Sequence, residues 1–537
     1  MIFFRRQTLM FENKKILFLC KETYSYPLYF LAQKWMKSNK IAAYFFNPVE
    51  CVYNKQVDFN DKTYYLWVEN GFKVYDSKII ADKFTKLNPN KVYDKNYLSV
   101  LEKKYTHFRG INEQILSTQN FTRHYHFRNY MSSCTYEQQL NWIIMNYKNA
   151  LAVLEDFKPD VIIDTDNAEL ARTVLNEIAF EKKIPYIILE YPRYESYKTY
   201  SFQMGIGVDS FFVEEFNKCM EMSDSEMKDE IQYINEYRKK ASIMPSEYKG
   251  TITSDYEADK KISILKKMCV QTLYFLHQDF RSHNYKIKRS NKILYPKSTE
   301  YLKYYERVWR VRRKLMLPNN IFENPVKGER YVYMPLHLIP ESTTFVKAPY
   351  YINELTTIEA VSKSLPAGWF LYVKEHQAML GERDIEFYHA VKKIPNVRLV
   401  QINYYKDPKP WIQNSQGVIT ITGTAAYEAA LLGKRALVFG DVMFDLIDGV
   451  TKVDSFKELP KLLNKFGLIE NTKSCAAYIK AVKNIGESIN IKYLMSEGEA
   501  ILRGKSVISE KYKDELGSLE CLFYNAYNHY ITRRGSI

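Results

Sequence analysis

Short apolar runs separated by stretches of helical periodicity mark both ends of the chain. KKILFLC (14–20) is entered through lysines and left through a Tyr/Ser/Pro turn, after which YPLYFLAQKWMKSNK repeats apolar positions at helical spacing. The pattern predicts strand, loop and helix, with AAYFFNP (42–48) as the second strand. The same order returns in DVIIDTD (160–166), AELARTVLNEIAFEKK (168–183) and PYIILE (185–190). Buried strands alternating with helices predict an α/β unit with a parallel sheet and right-handed crossovers.

Between 201 and 329 the pattern changes to long, charged, aromatic-rich helical stretches such as EMKDEIQYINEYRKKA and TEYLKYYERVWRVRRKLM. This reads as a helical insertion, with PNNIFENPVKGE (318–329) as a linker. A second α/β series opens at RYVYMPLHLIPE (330–341) and continues through WFLYVKE (369–375), VRLVQ (397–401), GVITI (417–421) and RALVFGD (435–441). The expected organisation is a Rossmann-like unit over 1–200, the insertion and linker over 201–329, a second Rossmann-like unit over 330–500 and a helical segment over 501–537. Two such sheets facing a central cleft place ligands at the carboxyl ends of their strands. A length of 537 residues agrees, since one hydrophobic core stops growing at roughly 250–300 residues.

Composition narrows the setting. The seven cysteines are scattered and odd in number, with no CxxC pair, which fits reduced thiols in a cytoplasm. The N-terminal residues lack the continuous apolar core of a signal peptide, and no stretch approaches the ~20 apolar residues of a membrane span. A net charge of +15 suits an anionic partner without choosing one. The RVWRVRRKLM run (307–316) reads as an amphipathic helix whose basic face is solvated, or else turned toward anionic lipid.

The chemistry concentrates at strand ends. In GVITITGTAAYEAALLGKRALVFGD (417–441), Thr422, Gly423 and Thr424 form a tight turn where a helix begins, so free backbone N–H groups there suit phosphate oxygens. Glu428, one turn into that helix, can hold two ribose hydroxyls. LYVKEHQ (371–377) ends a strand in Lys374, Glu375 and His376, hydrogen-bond donors or acceptors for a nucleotide, and YMPLHLIPESTT (333–344) sets His337 and Glu341 on the first loop of the same unit. In the first unit IIDTDNAE (162–169) places Asp164 and Asp166 at a strand end as candidate bases or nucleophiles. Glu190 ends the next strand before YPRYESY, where Arg193 and tyrosines are placed to contact sugar. The DTD is not read as a metal-binding motif, because no further carboxylate or His cluster completes a shell. MGIGVDS lacks the third glycine and the strand context of a dinucleotide loop.

PLHLIPESTT, GWFLYVKEH and TGTAAYEAALLGKRALVFGD together resemble the capsule polysaccharide synthesis family, over roughly 330–450. That resemblance implies a GT-B-like fold and a glycosyltransferase with no cofactor; transfer is expected to need no divalent metal, because Lys374, His376 and helix N–H groups can offset the phosphate charge of the leaving group. The enzyme would move sugar from a CMP- or UDP-linked donor to a growing bacterial surface glycan or glycolipid, with peripheral contact at the inner membrane face and no nucleic acid. The His-Pro step of related transferases stands here as His376-Gln377. A similar pattern of loop His, strand-end His and ribose Glu occurs in UDP-N-acetylglucosamine 2-epimerases, so an epimerase is the rival enzyme. A basic nucleic-acid-binding protein is a third class, with no recognised binding motif in its favour.

Overall fold

The structure is a computed structural model that describes residues 11–46, 64–77, 80, 83–84, 86–116, 135–166, 169–203, 209–244, 260–283, 298–317, 321–339 and 341–534. The first sheet is built from β1 (Lys15–Cys20), β2 (Lys40–Phe45), β3 (Lys73–Asp76), β4 (Val161–Asp164), β5 (Tyr186–Glu190) and β6 (Tyr197–Ser201). Its spatial order is β3-β2-β1-β4-β5-β6, parallel except for β6, which runs antiparallel to β5. The second sheet holds β7 (Tyr331–Pro335), β8 (Phe370–Lys374), β9 (Val397–Leu399), β10 (Val418–Thr420), β11 (Ala436–Val438) and β12 (Val450–Lys452). Its order β9-β8-β7-β10-β11-β12 is parallel throughout. Both are Rossmann orders with a switch point beside the first strand, so the chain has the α/β, GT-B-like architecture of two Rossmann-like units. Ile16, Leu17, Phe18 and Leu19 of β1 and Val418 and Ile419 of β10 have no exposed surface, which is why these strands read as unbroken apolar runs.

The units meet through a shared core. Glu190 at the end of β5 lies 3.3 Å from Lys347 of the second unit. Arg238 of the helix Lys228–Lys239 donates to the Leu431 carbonyl at 2.9 Å and to Thr472 Oγ1 at 2.9 Å.

One expectation shifts. The sequence pattern ends the second unit at 500 and sets a separate segment after it. Instead the helix Thr472–Ile485 packs on the helices Ser210–Glu221 and Lys228–Lys239, and β13 (Glu487–Ser488) pairs antiparallel with β6. The helix Glu510–Arg534 then buries Tyr512, Leu519, Leu522 and Phe523 in the core shared with the first sheet. The tail crosses back because its apolar faces are completed there, a pairing with no local signature. The basic run is an amphipathic helix, as its pattern predicts: in the helix Ser298–Met316, Val311 and Leu315 enter the core of the second unit, Arg310 and Lys314 stay exposed, and Arg307 binds Asp384 and the Glu382 carbonyl. Gly381, at φ 87°, permits that docking, since a Cβ there would stand 2.5 Å from the Val308 carbonyl. Cys51, Cys134 and the MGIG glycines lie outside the described residues.

Candidate active site

The carboxyl ends of β7, β8 and β10 bring the second unit's candidates to one switch point. The turn after β10 is tight because Gly423 abuts Thr420 Oγ1; a Cβ at this position would come to 2.4 Å from it. Two of the amides expected to face phosphate are already engaged. Thr422 N–H donates to His337 Nε2 at 3.2 Å, and Gly423 N–H to Thr420 Oγ1 at 3.1 Å. Accepting at Nε2 leaves the proton of a neutral His337 on Nδ1, which faces Glu354 Oε1 at 3.3 Å. His337 therefore props the turn from beneath with both ring nitrogens in use. Thr424 stands where the helix Ala425–Leu431 begins, without a side-chain cap bond, and Thr422 Oγ1 is buried with no hydrogen-bond partner among the described residues.

Glu375 is likewise absorbed by the scaffold. It receives Arg383 Nε at 2.9 Å, the Tyr388 hydroxyl at 2.7 Å and the His376 amide at 2.7 Å, with no side-chain exposure. Glu341 heads the short helix Ser342–Phe345, its carbonyl accepting from Phe345 N at 2.9 Å.

Lys374, His376 and Glu428 behave differently. Lys374 Nζ donates to the Tyr405 carbonyl at 3.0 Å and lies over the Trp411 ring at 5.7 Å; burial lowers its pKa to about 8, against the pull of Asp407 and Glu428. The Glu428 carboxylate has no hydrogen-bond partner among the described residues, and burial together with Asp407 raises its pKa to about 7, opposed by Arg193 and Lys374. His376 is reached by solvent, yet it stands in a crowded recess. That crowding, then His337 and Arg383, lower its pKa to about 4. Its Nδ1 accepts from Ala378 N–H at 3.2 Å, so the neutral ring presents Nε2–H outward as a donor. A strained loop from the first unit faces this group: Arg193, exposed and at φ 69°, lies within electrostatic range of Glu428.

In the first unit the strand-end acids divide. Asp164 is wholly buried and receives Arg172 Nε at 2.9 Å, the Tyr186 hydroxyl at 2.7 Å and Thr165 N at 2.8 Å; burial raises its pKa, with Arg172 opposing. Asp166, with 25% of its side chain exposed, lies 3.2 Å from Arg172 Nη1. Glu190 accepts from Ser201 Oγ at 3.0 Å besides its contact with Lys347. Lys21, ending the β1 turn, pairs with Glu169. Sequence reasoning passed over Asp407, Tyr405 and Trp411, which wall the Lys374 recess; their loop carries no motif, only a Pro-flanked aromatic cluster.

No family model matches this chain, and no curated protein does. Among solved structures it is similar to the beta Kdo 2,7 transferase KpsC of Thermosulfurimonas dismutans, at 11% identity and TM-score 0.30, over 68% of this chain and 96% of that one. It is also similar to UDP-GlcNAc 2-epimerase from Neisseria meningitidis bound to UDP-GlcNAc, at 13% identity and TM-score 0.21, over 88% and 98%. The MnaA-UDP structure from S. aureus matches at 10% identity and TM-score 0.24, over 92% and 98%. At these scores the likenesses carry no argument about activity.

Proposed function

We propose that the chain is a glycosyltransferase that binds a nucleotide-sugar donor in its second unit and an acceptor glycan or glycolipid toward the first. The observation that carries this reading is the unpartnered Glu428 carboxylate in a recess beside Lys374 at the switch point. A half-buried carboxylate that receives no donor from the described residues keeps its accepting capacity for a ligand, and a ribose diol offers two donors. Lys374, His376 Nε2–H, the Thr422 hydroxyl and the Thr424 amide then serve the phosphates. Charge forming on the departing nucleotide is offset by these donors, which supports a metal-independent reaction. The reacting carboxylate on this reading is Asp166 or Glu190, because Asp164 has no surface to offer. Incubation with CMP-, UDP- and GDP-sugars should raise the melting temperature with one nucleotide class, and EDTA should leave transfer intact. No stabilisation by any of them, or activity abolished by EDTA and restored by magnesium, would sink the reading.

Peripheral contact with an anionic membrane face belongs to the same proposal. No described helix is long and apolar enough to cross a membrane. The helix Lys261–His283, however, exposes Ile262, Leu265, Leu273 and Leu276 along one face, each more than half accessible, with Lys261 and Lys266 exposed beside them. Apolar side chains edged by lysines fit the interface of an anionic bilayer. Full-length chain should sediment with phosphatidylglycerol vesicles and be released by Leu265→Glu/Leu273→Glu; equal sedimentation of the double variant removes the assignment.

A further inference from the structure

A second recess, of 390 Å³, opens between the units on the far side of the Lys347 loop, at the ends of β11 and β12. The first unit contributes Phe108, Arg109 and Glu113, and the second contributes Tyr350, Asp441 and Asp454. The loop carrying Arg109 is held firmly: the backbone N–H groups of His107, Phe108 and Arg109 donate to the Glu177 carboxylate at 3.0, 3.3 and 3.2 Å. Arg109 itself is 8% exposed, and its guanidinium makes no hydrogen bond or ion pair among the described residues. Glu113, Glu177 and Asp441 stand within Coulomb range without bonding it, while burial lowers its pKa.

The other charges at this recess are mostly committed. Lys347 pairs with Glu190 and Lys452 with Asp441, and Glu113 accepts the Gly110 amide at 2.9 Å. What remains is a buried cation from the first unit and an exposed carboxylate, Asp454, from the second, with the Tyr350 and Phe108 rings also lining the recess. A desolvated guanidinium without a partner is costly and presents fixed donors for a planar anion. Asp454 accepts hydroxyl protons, and the rings suit the C–H face of a sugar.

We infer that this recess binds an acidic pyranose residue, its carboxylate on Arg109 and its hydroxyls toward Asp454, as the terminal unit of the acceptor. The acceptor role rests on the transferase reading above; the binding chemistry does not. The recess adjoins the donor turn, because Asp441 N–H donates to the Lys347 carbonyl at 3.2 Å and Gly440 packs so tightly that a Cβ would come to 2.4 Å from Thr422 Cγ2.

Ligand-observed NMR on the full chain, with glucuronate and glucose as probes, tests it. Glucuronate should bind about tenfold more tightly than glucose, since a charge-assisted pair is worth roughly that factor. Arg109→Gln should abolish the preference, and Arg109→Lys should keep part of it. Asp454→Ala, at the exposed rim where folding is not at stake, should weaken both probes. Equal binding of the two sugars, no detectable glucuronate signal, or a preference unchanged in Arg109→Gln overturns the assignment. Donor binding, followed separately by thermal shift, reports on the transferase reading: glucuronate bound without any nucleotide-sugar effect would leave the site standing and remove its acceptor role.

Discussion

In the first unit the end of β4, and in its counterpart the end of β8, deliver acids at a parallel strand terminus in the same way. Asp164 meets Arg172 eight residues on and the hydroxyl of Tyr186. Glu375 meets Arg383, also eight residues on, and the hydroxyl of Tyr388. Both acids are spent in fastening their strand to the next turn. Their neighbours differ: Asp166 pairs with Arg172 yet keeps a quarter of its side chain exposed, and Lys374, His376 and Glu428 cluster where burial disfavours charge. The lesson is that saturation separates scaffold from site better than position does, because a group already bonded on every side gains nothing from a ligand.

The sharpest break in that comparison comes from removing one acid of each kind. Asp164→Ala leaves Arg172 buried without its main counter-charge and should cost about 3–5 kcal/mol of stability in chemical denaturation. Asp166→Asn, within solvent's reach, should cost under about 1 kcal/mol. If Asp166 is the general base it should lower turnover by roughly 10²–10⁴-fold. A stable Asp164→Ala chain with lost turnover would reverse the two roles. Near-normal turnover in Asp166→Asn moves the chemistry to Glu190.

Glu428 should show the opposite trade. Its folded pKa, near 7, lies above the ordinary carboxylate range, so the folded chain holds a proton the unfolded chain has released. The resulting penalty is absent at acid pH, grows between the ordinary carboxylate range and about 7, and is full above it. Glu428→Gln should therefore raise the melting temperature at pH 8 more than at pH 5, while weakening donor binding by about 1–3 kcal/mol. For the wild-type chain, donor kcat/KM should rise as Glu428 ionises through about 7 and fall as Lys374 loses its proton through about 8. Lys374→Arg should remove the upper limb. A flat profile over pH 6–9 would separate both groups from donor binding.

Legibility followed the same divide. The central strands of both sheets were readable because parallel strands buried on both faces give continuous apolar runs; KILFLC and VIT needed no context. The half-buried edge β3, with sequence KVYD, and the two-residue β13 carry no such run, and β13 exists only through its pairing with β6. Strand-end placement pointed to Lys374 and His376 and the helix start pointed to Glu428, and the fold sets all three near the switch point of the second sheet. The consumption of Glu375 and Asp164 was hidden, since it depends on an arginine folding back after a loop. Arg109 was invisible for another reason: it lies in a motif-free loop, and its meaning comes from what the opposite unit fails to give it.

The smallest test of the comparison is Thr422→Val. The hydroxyl of Thr422 is buried and unbonded, and its methyl packs where Gly440 leaves no room, so valine keeps the shape and removes the polar atom. An unsatisfied buried hydroxyl costs about 1–3 kcal/mol, some of which the substitution returns; the unliganded chain should be as stable as the wild type or slightly more so. If the hydroxyl is held there for a phosphate oxygen, donor affinity should fall by about 0.5–1.5 kcal/mol, the worth of one hydrogen bond. The two measurements move in opposite directions only when the orphaned group serves a ligand. Unchanged affinity alongside a gain in stability would make Thr422 a packing residue, and would place the phosphates on Lys374, His376 and the Thr424 amide alone.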